Sequence, residues 1–376
     1  MTRVAALLLT ALSLAAVNLT AQTRPTPSAG TGTIFVGSYS GHLTAVDEAT
    51  ETFTKIPLTT GAPFAVRLSP DRSRFYVQSA NQERFEVVDV RTRKSIDSFT
   101  LSDARRHVRA LAYEVDPQHR TLVIVAKVAT KLVDRWEIGA PEFILYDLAA
   151  HKVTRTVPWP IDPEPTHYSV ALRFSPDGKL LYVFGTQVDI FDAATMEQVD
   201  TWDLSLPMEA AMGRFDPGPW DDSADARGMA TGLFTMSDAV MRRKLLVVGQ
   251  INLAARTVDT FPLGPVPTAD SMSFTVGPDR TRAHILLAEI GRHELWTINL
   301  AERRVQSRIE VPTRTRMQMR SSSSGLTYIY EAGRTIEVYS ADASTRLRTI
   351  MLDSDMMYST FVIVPAPPAA TSTARK

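Results

Sequence analysis

The chain has 376 residues, 44% of them hydrophobic and 22% charged, enough for a sizeable core and without the bias of a disordered or fibrous chain. Its 41 basic and 41 acidic residues balance, so the net charge gives no support to binding of nucleic acid or of an anionic membrane surface. There is no cysteine, which excludes disulfides, a thiolate nucleophile, a zinc–thiolate centre and CxxCH haem attachment.

The N-terminus, MTRVAALLLTALSLAAVNLTAQ, sets Arg3 before an apolar run and ends in small residues, the order of a secretory signal peptide spanning 1–21. The run from Val4 to Val17 is shorter than the roughly 20 apolar residues that cross a bilayer, which favours cleavage near Ala21 over membrane insertion. The expectation is a periplasmic or secreted protein with 40 basic and 41 acidic residues. Residues 22–32, QTRPTPSAGTG, read as a polar linker, and 365–376, PAPPAATSTARK, as a disordered tail.

Between them, from 33 to 364, one pattern recurs. The first unit, TIFVGSYSGHLTAVDEATETFTKIPL, begins directly at a strand. LSPDRSRFYVQSANQERFEVVDVRTRKSIDSFTL follows from Leu68, and then YEVDPQHRTLVIVAKVA from Tyr113 with its sequel FILYDLAAHKVTRTVPW. The best-preserved copy, FSPDGKLLYVFGTQVDIFDAATMEQVDTWDL, starts at Phe174. The fifth, GMATGLFTMSDAVMRRKLLVVGQINLAARTVDTFPL, comes after a divergent turn, FDPGPWDD. VGPDRTRAHILLAEIGRHELWTINLAERRVQSRIEV from Val276 and RSSSSGLTYIYEAGRTIEVYSADASTRLRTIML from Arg320 complete seven copies. The copies from Leu68, Phe174 and Val276 each read turn, strand, gap, strand, turn, strand.

In SPDG, Ser175 can accept from the turn backbone, Pro176 pre-sets a dihedral and Gly178 closes a type I turn. The strands are short and rich in β-branched and aromatic residues, as in LLYVFG and VDIFDA. Over seven copies the 332 residues from Thr33 to Val364 give about 47 each, close to the period of four-stranded propeller blades. A lone four-stranded sheet leaves both faces uncovered, whereas a ring of such sheets covers them. The fold class is therefore all-β, a seven-bladed β-propeller of four-stranded antiparallel blades. The first copy lacks its leading strand and the last is followed by an extra one, YSTFVIVP, so the C-terminal strand is expected to pair into the first blade and close the ring. Two β-sandwiches would match the length but not the seven similar units.

The single pair Trp202-Asp203 does not recur, which speaks against a WD40 propeller, and the five tryptophans hold no common blade position, which speaks against a quinoprotein propeller. The SPDG turn before a YV strand, with the D-x-x-T turns DAAT and DVRT, resembles the YVTN-type bacterial propellers. Three longer stretches are HVRALAYEVDPQHRTLVIVAKVATKLVDRWEIGAPEFILYDLAAHKVTRTVPWP, DGKLLYVFGTQVDIFDAATMEQVDTWDL and RGMATGLFTMSD. They resemble the beta (propeller) subunit of quinohaemoprotein amine dehydrogenase, itself similar to the methylamine dehydrogenase heavy chain. The resemblance implies a scaffold subunit with no cofactor of its own, holding a small quinone-bearing subunit and a multihaem cytochrome subunit.

In a propeller the second-to-third-strand loops share a face with the links between blades. On that face the longest insertion is 129–141, where Asp134, Arg135 and Trp136 join a charge pair to an amphipathic ring suited to partner binding. The alternative is that Trp136 packs its own loop onto the blade. The loop SDAVMRRK adds Arg242, Arg243 and Lys244, which suit an acidic partner or an ordinary solvated loop. FDPGPWDDSADARG gathers Asp216, Asp221, Asp222 and Asp225 but lacks the register of a calcium loop. The seven histidines stand singly, and neither a P-loop nor G-x-S-x-G occurs. The serines of RSSSSG replace the SPDG turn rather than supply a nucleophile. A lactonase-type hydrolase with a metal at the channel mouth and a stand-alone cell-surface interaction module are the alternative readings.

Overall fold

The computed structural model describes residues 30–366 except 163, 167–169, 186, 204–211, 222–227, 269–270, 290, 313–316, 332 and 358–359. These residues form strands and turns with no helix, arranged as seven antiparallel sheets in a ring. The inner strands of blades 2 to 7 are Pro63–Leu68, Arg106–Val115, Ala171–Phe174, Met212–Asp221, Ser271–Val276 and Met317–Ser321. In blade 1 the inner place is taken by the C-terminal strand Val362–Val364, which pairs antiparallel with Thr33–Ser38, Thr33 opposite Val364 and Phe35 opposite Val362. Closure by the last strand is as the repeat requires.

The ring follows from the strand period of two. Along Thr33–Ser38, Ile34 and Val36 face blade 7, packing with Tyr328 and Ile336, while Phe35 faces blade 2 and meets Phe75 edge-on at 4.7 Å. Each blade is thus buried on both faces, so its middle strands are almost continuously apolar, as in Thr121–Lys131 and Leu180–Phe184. Seven buried clusters result, one per interface between neighbouring blades, including the seam between blades 7 and 1.

The turns carry the repeat. In the SPD-type turns of blades 2, 3, 4, 6 and 7 the fourth residue donates its N–H to the first carbonyl. That fourth residue is left-handed: Arg72 (φ 61°), His119 (56°), Gly178 (75°), Arg280 (56°) and Gly325 (84°). Only glycine takes this conformation without a steric penalty. Ser175 Oγ accepts from Leu180 N–H at 2.9 Å, and Ser322 does the same for Leu326 at 3.0 Å, so the serine-rich turn replaces SPDG as expected. Between third and fourth strands an Asp or Asn side chain caps its own turn, as Asp192 does for Thr195 N–H at 2.8 Å and Asp89 for Thr92 N–H at 2.6 Å.

Two expectations are corrected. FDPGPWD is not a turn: it forms most of the inner strand Met212–Asp221 of blade 5, bulged twice against Met229–Asp238. The insertion after Ala129 is not an open loop either, because Thr121–Lys131 continues through it and pairs with a short strand, Trp136–Ile138.

Candidate functional site

The face carrying the second-to-third-strand turns is called upper here, and the face carrying the SPD turns lower. On the upper face, strand residues 106–108, 129–131 and 136–138 form a three-stranded ledge, closed by a tight turn in which Leu132 N–H donates to Arg135 O at 2.8 Å. Asp134 and Arg135 are exposed and pair with each other at 3.3 Å. Trp136 lies with one side against His107, edge-on at 4.8 Å, and under Lys131 at 6.0 Å, yet stays 45% exposed. His107 is oriented by donating to Glu83 at 3.0 Å. Val133 and Ile138 on the same ledge are fully and 72% exposed.

Arg242, Arg243 and Lys244 lie on the same face two blades away, all exposed, with Arg243 Nε 3.9 Å from Asp238. Beside them Val240 and Met241 project into solvent, and Tyr39 does so from blade 1. Among the described residues, six of the eleven exposed large apolar side chains stand on the ledge and the turns of the upper face; the other five, Phe53, Ile96, Val153, Val199 and Met351, lie on outer strands. Exposed apolar surface is therefore concentrated on one face.

The expected acidic group divides: Asp216 and Asp221 lie on the inner strand of blade 5, and Asp222 and Asp225 lie outside the described residues. Among the described residues no group of three or more His, Asp or Glu side chains is placed to hold a metal ion.

The residues missed in the sequence lie in the central channel. A cavity of about 430 Å³ runs along the inner strands to the lower face, where Ser69, Pro70, Ser175 and Pro176 of the SPD turns form part of its rim. Apolar walls come from Phe64, Val66, Leu111, Val170, Met229 and Phe361, and into the cavity reach Arg67, Arg173, Arg320 and Glu114.

Pairing places these four charged residues on one level. Arg67 lies opposite Tyr76, Glu114 opposite Val123, Arg173 opposite Tyr182 and Arg320 opposite Tyr328, each two residues before its SPD-type turn. Thr275 opposite His284, Asp221 opposite Thr231 and Val362 opposite Phe35 complete the seven positions. Arg67 and Arg173, from the blades on either side, both donate to Glu114 Oε2, at 2.9 and 3.4 Å, and Val115 N–H donates to Oε1 at 3.2 Å. The Glu114 side chain is 5% exposed. The Arg67 guanidinium also lies 5.9 Å above the Tyr113 ring. Aligning the copies on their turns shows the signal: VRLSPD, YEVDPQ, LRFSPDG and MRSSSSG each carry a charge where a strand next to the core would take an apolar residue.

No family model matches the chain, and no curated protein matches it. Among solved structures, Kuenenia stuttgartiensis hydrazine synthase is similar at 15% identity and a TM-score of 0.49, over 90% of this chain and 99% of that one. The dihydro-heme d1 dehydrogenase NirN, in complex with DHE, has a TM-score of 0.50 at 13% identity, over 88% of this chain and 75% of its own. A functionally unknown protein from Desulfotomaculum acetoxidans DSM 771 has a TM-score of 0.53 at 13% identity, over 89% of this chain and 99% of its own. At such identities the likeness is one of fold. Fold and channel together define a seven-bladed β-propeller whose inner strands carry a charged layer.

Proposed function

We propose that this protein is an exported binding propeller that holds a partner protein on its upper face and does not catalyse alone. The observation that carries the reading is the ledge at Trp136, where Trp136 and Ile138 stand exposed on a paired strand and Val133 on the tight turn that closes it, rather than on a loose loop. A rigid, exposed tryptophan with arginine beside it is the composition of an interface hot spot, and strand pairing lowers the entropy lost on docking. Arg242 and Arg243 extend the same face towards acidic partner residues. The signal-peptide pattern of residues 1–21 supports export of the mature chain to the periplasm or outside the cell. From the resemblance of its blades, the partners are redox subunits carrying quinone and haem, with no cofactor on this chain.

The test is affinity capture from the native exported fraction with the full mature chain, with Trp136→Ala plus Ile138→Asp, and with Met351→Asp on an outer strand as control. A polypeptide retained by wild type and by the control but lost with the ledge variant supports docking there, and Soret absorbance in the eluate identifies it as haem-bearing. Equal retention by all three chains, or none by any, overturns the proposal.

A further inference from the structure

We infer that the central channel is a second binding site, open to the lower face, for a small organic carboxylate with an apolar body. The inference is independent of protein docking on the upper face.

The volume of about 430 Å³ falls in the range of roughly 300–1,000 Å³ that small-molecule pockets occupy. Its lining joins an apolar wall to a few convergent polar groups, the arrangement that binds an amphipathic ligand and fixes its orientation. The charged layer supplies most of the charged groups, with Arg72, Ser69 and Ser175 at the rim. Among the described side chains the lining holds three arginines of that layer, Arg67, Arg173 and Arg320, a fourth, Arg72, in the turn below, and one carboxylate, Glu114. Positive charge is in excess, which suits an anionic ligand.

Packing alone gives no reason for these residues. Val362 and Thr275 hold the same position in blades 1 and 6 without charge, so the blade tolerates small uncharged side chains there. Buried ion pairs are weak stabilisers compared with apolar residues of the same volume, which makes a structural role an insufficient account of three guanidinium groups. Guanidinium is the side chain whose planar fork matches a carboxylate. Glu114 holds Arg67 and Arg173 in place from between them. Arg320, two blades from Arg67 across the ring seam, reaches the cavity beside Phe361 and Ile363 and is steadied by its bond to Met319 O at 2.9 Å. A ligand carboxylate in this layer leaves its apolar body against Phe64, Leu111 and Met229.

The experiment is isothermal titration of the full mature chain with octanoate, 3-phenylpropionate and 2-naphthoate, with the corresponding neutral amides, and with inorganic phosphate. The expected result is that at least one carboxylate binds with a Kd below about 1 mM. Its amide and the Arg320→Gln variant then bind about tenfold or more weakly, the effect of losing one charge-assisted hydrogen bond. Arg320→Gln leaves the Arg67–Glu114–Arg173 arc intact, and Arg320→Lys, which keeps the charge and loses the fork, provides a second variant. Absence of binding by every carboxylate, equal binding of the amides, or unchanged binding by Arg320→Gln and Arg320→Lys overturns the inference. Phosphate binding more tightly than any carboxylate also overturns it, in favour of a phosphoryl ligand.

Discussion

Glu114 is the residue on which three blades converge. Its carboxylate takes hydrogen bonds from Arg67 and Arg173 while almost wholly out of water. Glu114→Ala therefore removes the buried carboxylate that two guanidinium groups share, and urea unfolding is expected to show a loss of about 3 kcal/mol. The triple change Arg67→Met, Glu114→Leu, Arg173→Met, which removes the charges together, is expected to cost much less. His284 is 1% exposed, its Nδ1 3.2 Å from Thr297 Oγ1, and burial holds its imidazolium form down to a pKa of about 4 against an ordinary 6.5. Since the folded pKa is depressed, the unfolded chain binds the extra proton first. The contribution of neutral His284 is complete above pH 6.5 and is lost as pH falls towards 4. The corresponding position is Tyr76, Tyr182 and Tyr328 in other blades, so His284→Tyr is expected to fold and to flatten that part of the stability–pH curve. Chemical unfolding of both chains from pH 7 to 4 checks this; parallel curves would show that His284 does not titrate on unfolding.

The closing strand Val362–Val364 has only three residues, yet it supplies the inner edge of blade 1. Ile363 and Phe361 pack into the seam with blade 7, the ring of Phe361 stacked on Tyr330 at 4.0 Å, while Val364 packs towards blade 2. Thr360 adds a clasp, accepting from Gly37 N–H at 2.8 Å, where a Cβ on residue 37 would lie 2.8 Å from the Thr360 hydroxyl. A chain ending at Met357 loses these three apolar side chains from the core, worth about 5 kcal/mol at the usual 1.5–3 each. It also exposes the edge of Thr33–Ser38. The expected outcome is a clear fall in melting temperature for the whole ring; an unchanged melting curve would show that closure depends on other contacts.

The whole molecule separates its two surfaces. The lower face carries the turns that repeat and the mouth of a charged channel, and the upper face carries the departures from the repeat. Trp136→Ala on the upper ledge removes a half-exposed ring and is expected to change the melting temperature by no more than about 2 °C. It is expected to weaken capture of the partner by about 30-fold, the scale of a hot-spot residue. Titration of the two chains against the captured partner measures both halves of this expectation. The repeat was legible in the chain because backbone geometry asks for the same residue types at the same spacing, in the SPD-type turns of blades 2, 3, 4, 6 and 7 and in the Asx-capped turns of blades 1 to 6, Ser175 and Asp192 being the clearest cases. The C-terminal closure was legible too, from one strand too few at the start and one too many at the end. The ledge was legible only as an insertion with a tryptophan, because the strand pairing of Lys131 with Trp136 leaves no period in so short a segment. FDPGPWD was misread as a turn because its two prolines and glycine carry turn chemistry, and pairing with Met229–Asp238 overrides it. By itself the sequence determined the blade, its number and its order, since these rest on local turns and on the two-residue alternation of apolar side chains. Only the tertiary structure decided the channel, because Arg67, Glu114, Arg173 and Arg320 are spread over 253 positions and come to one level solely through closure of the ring.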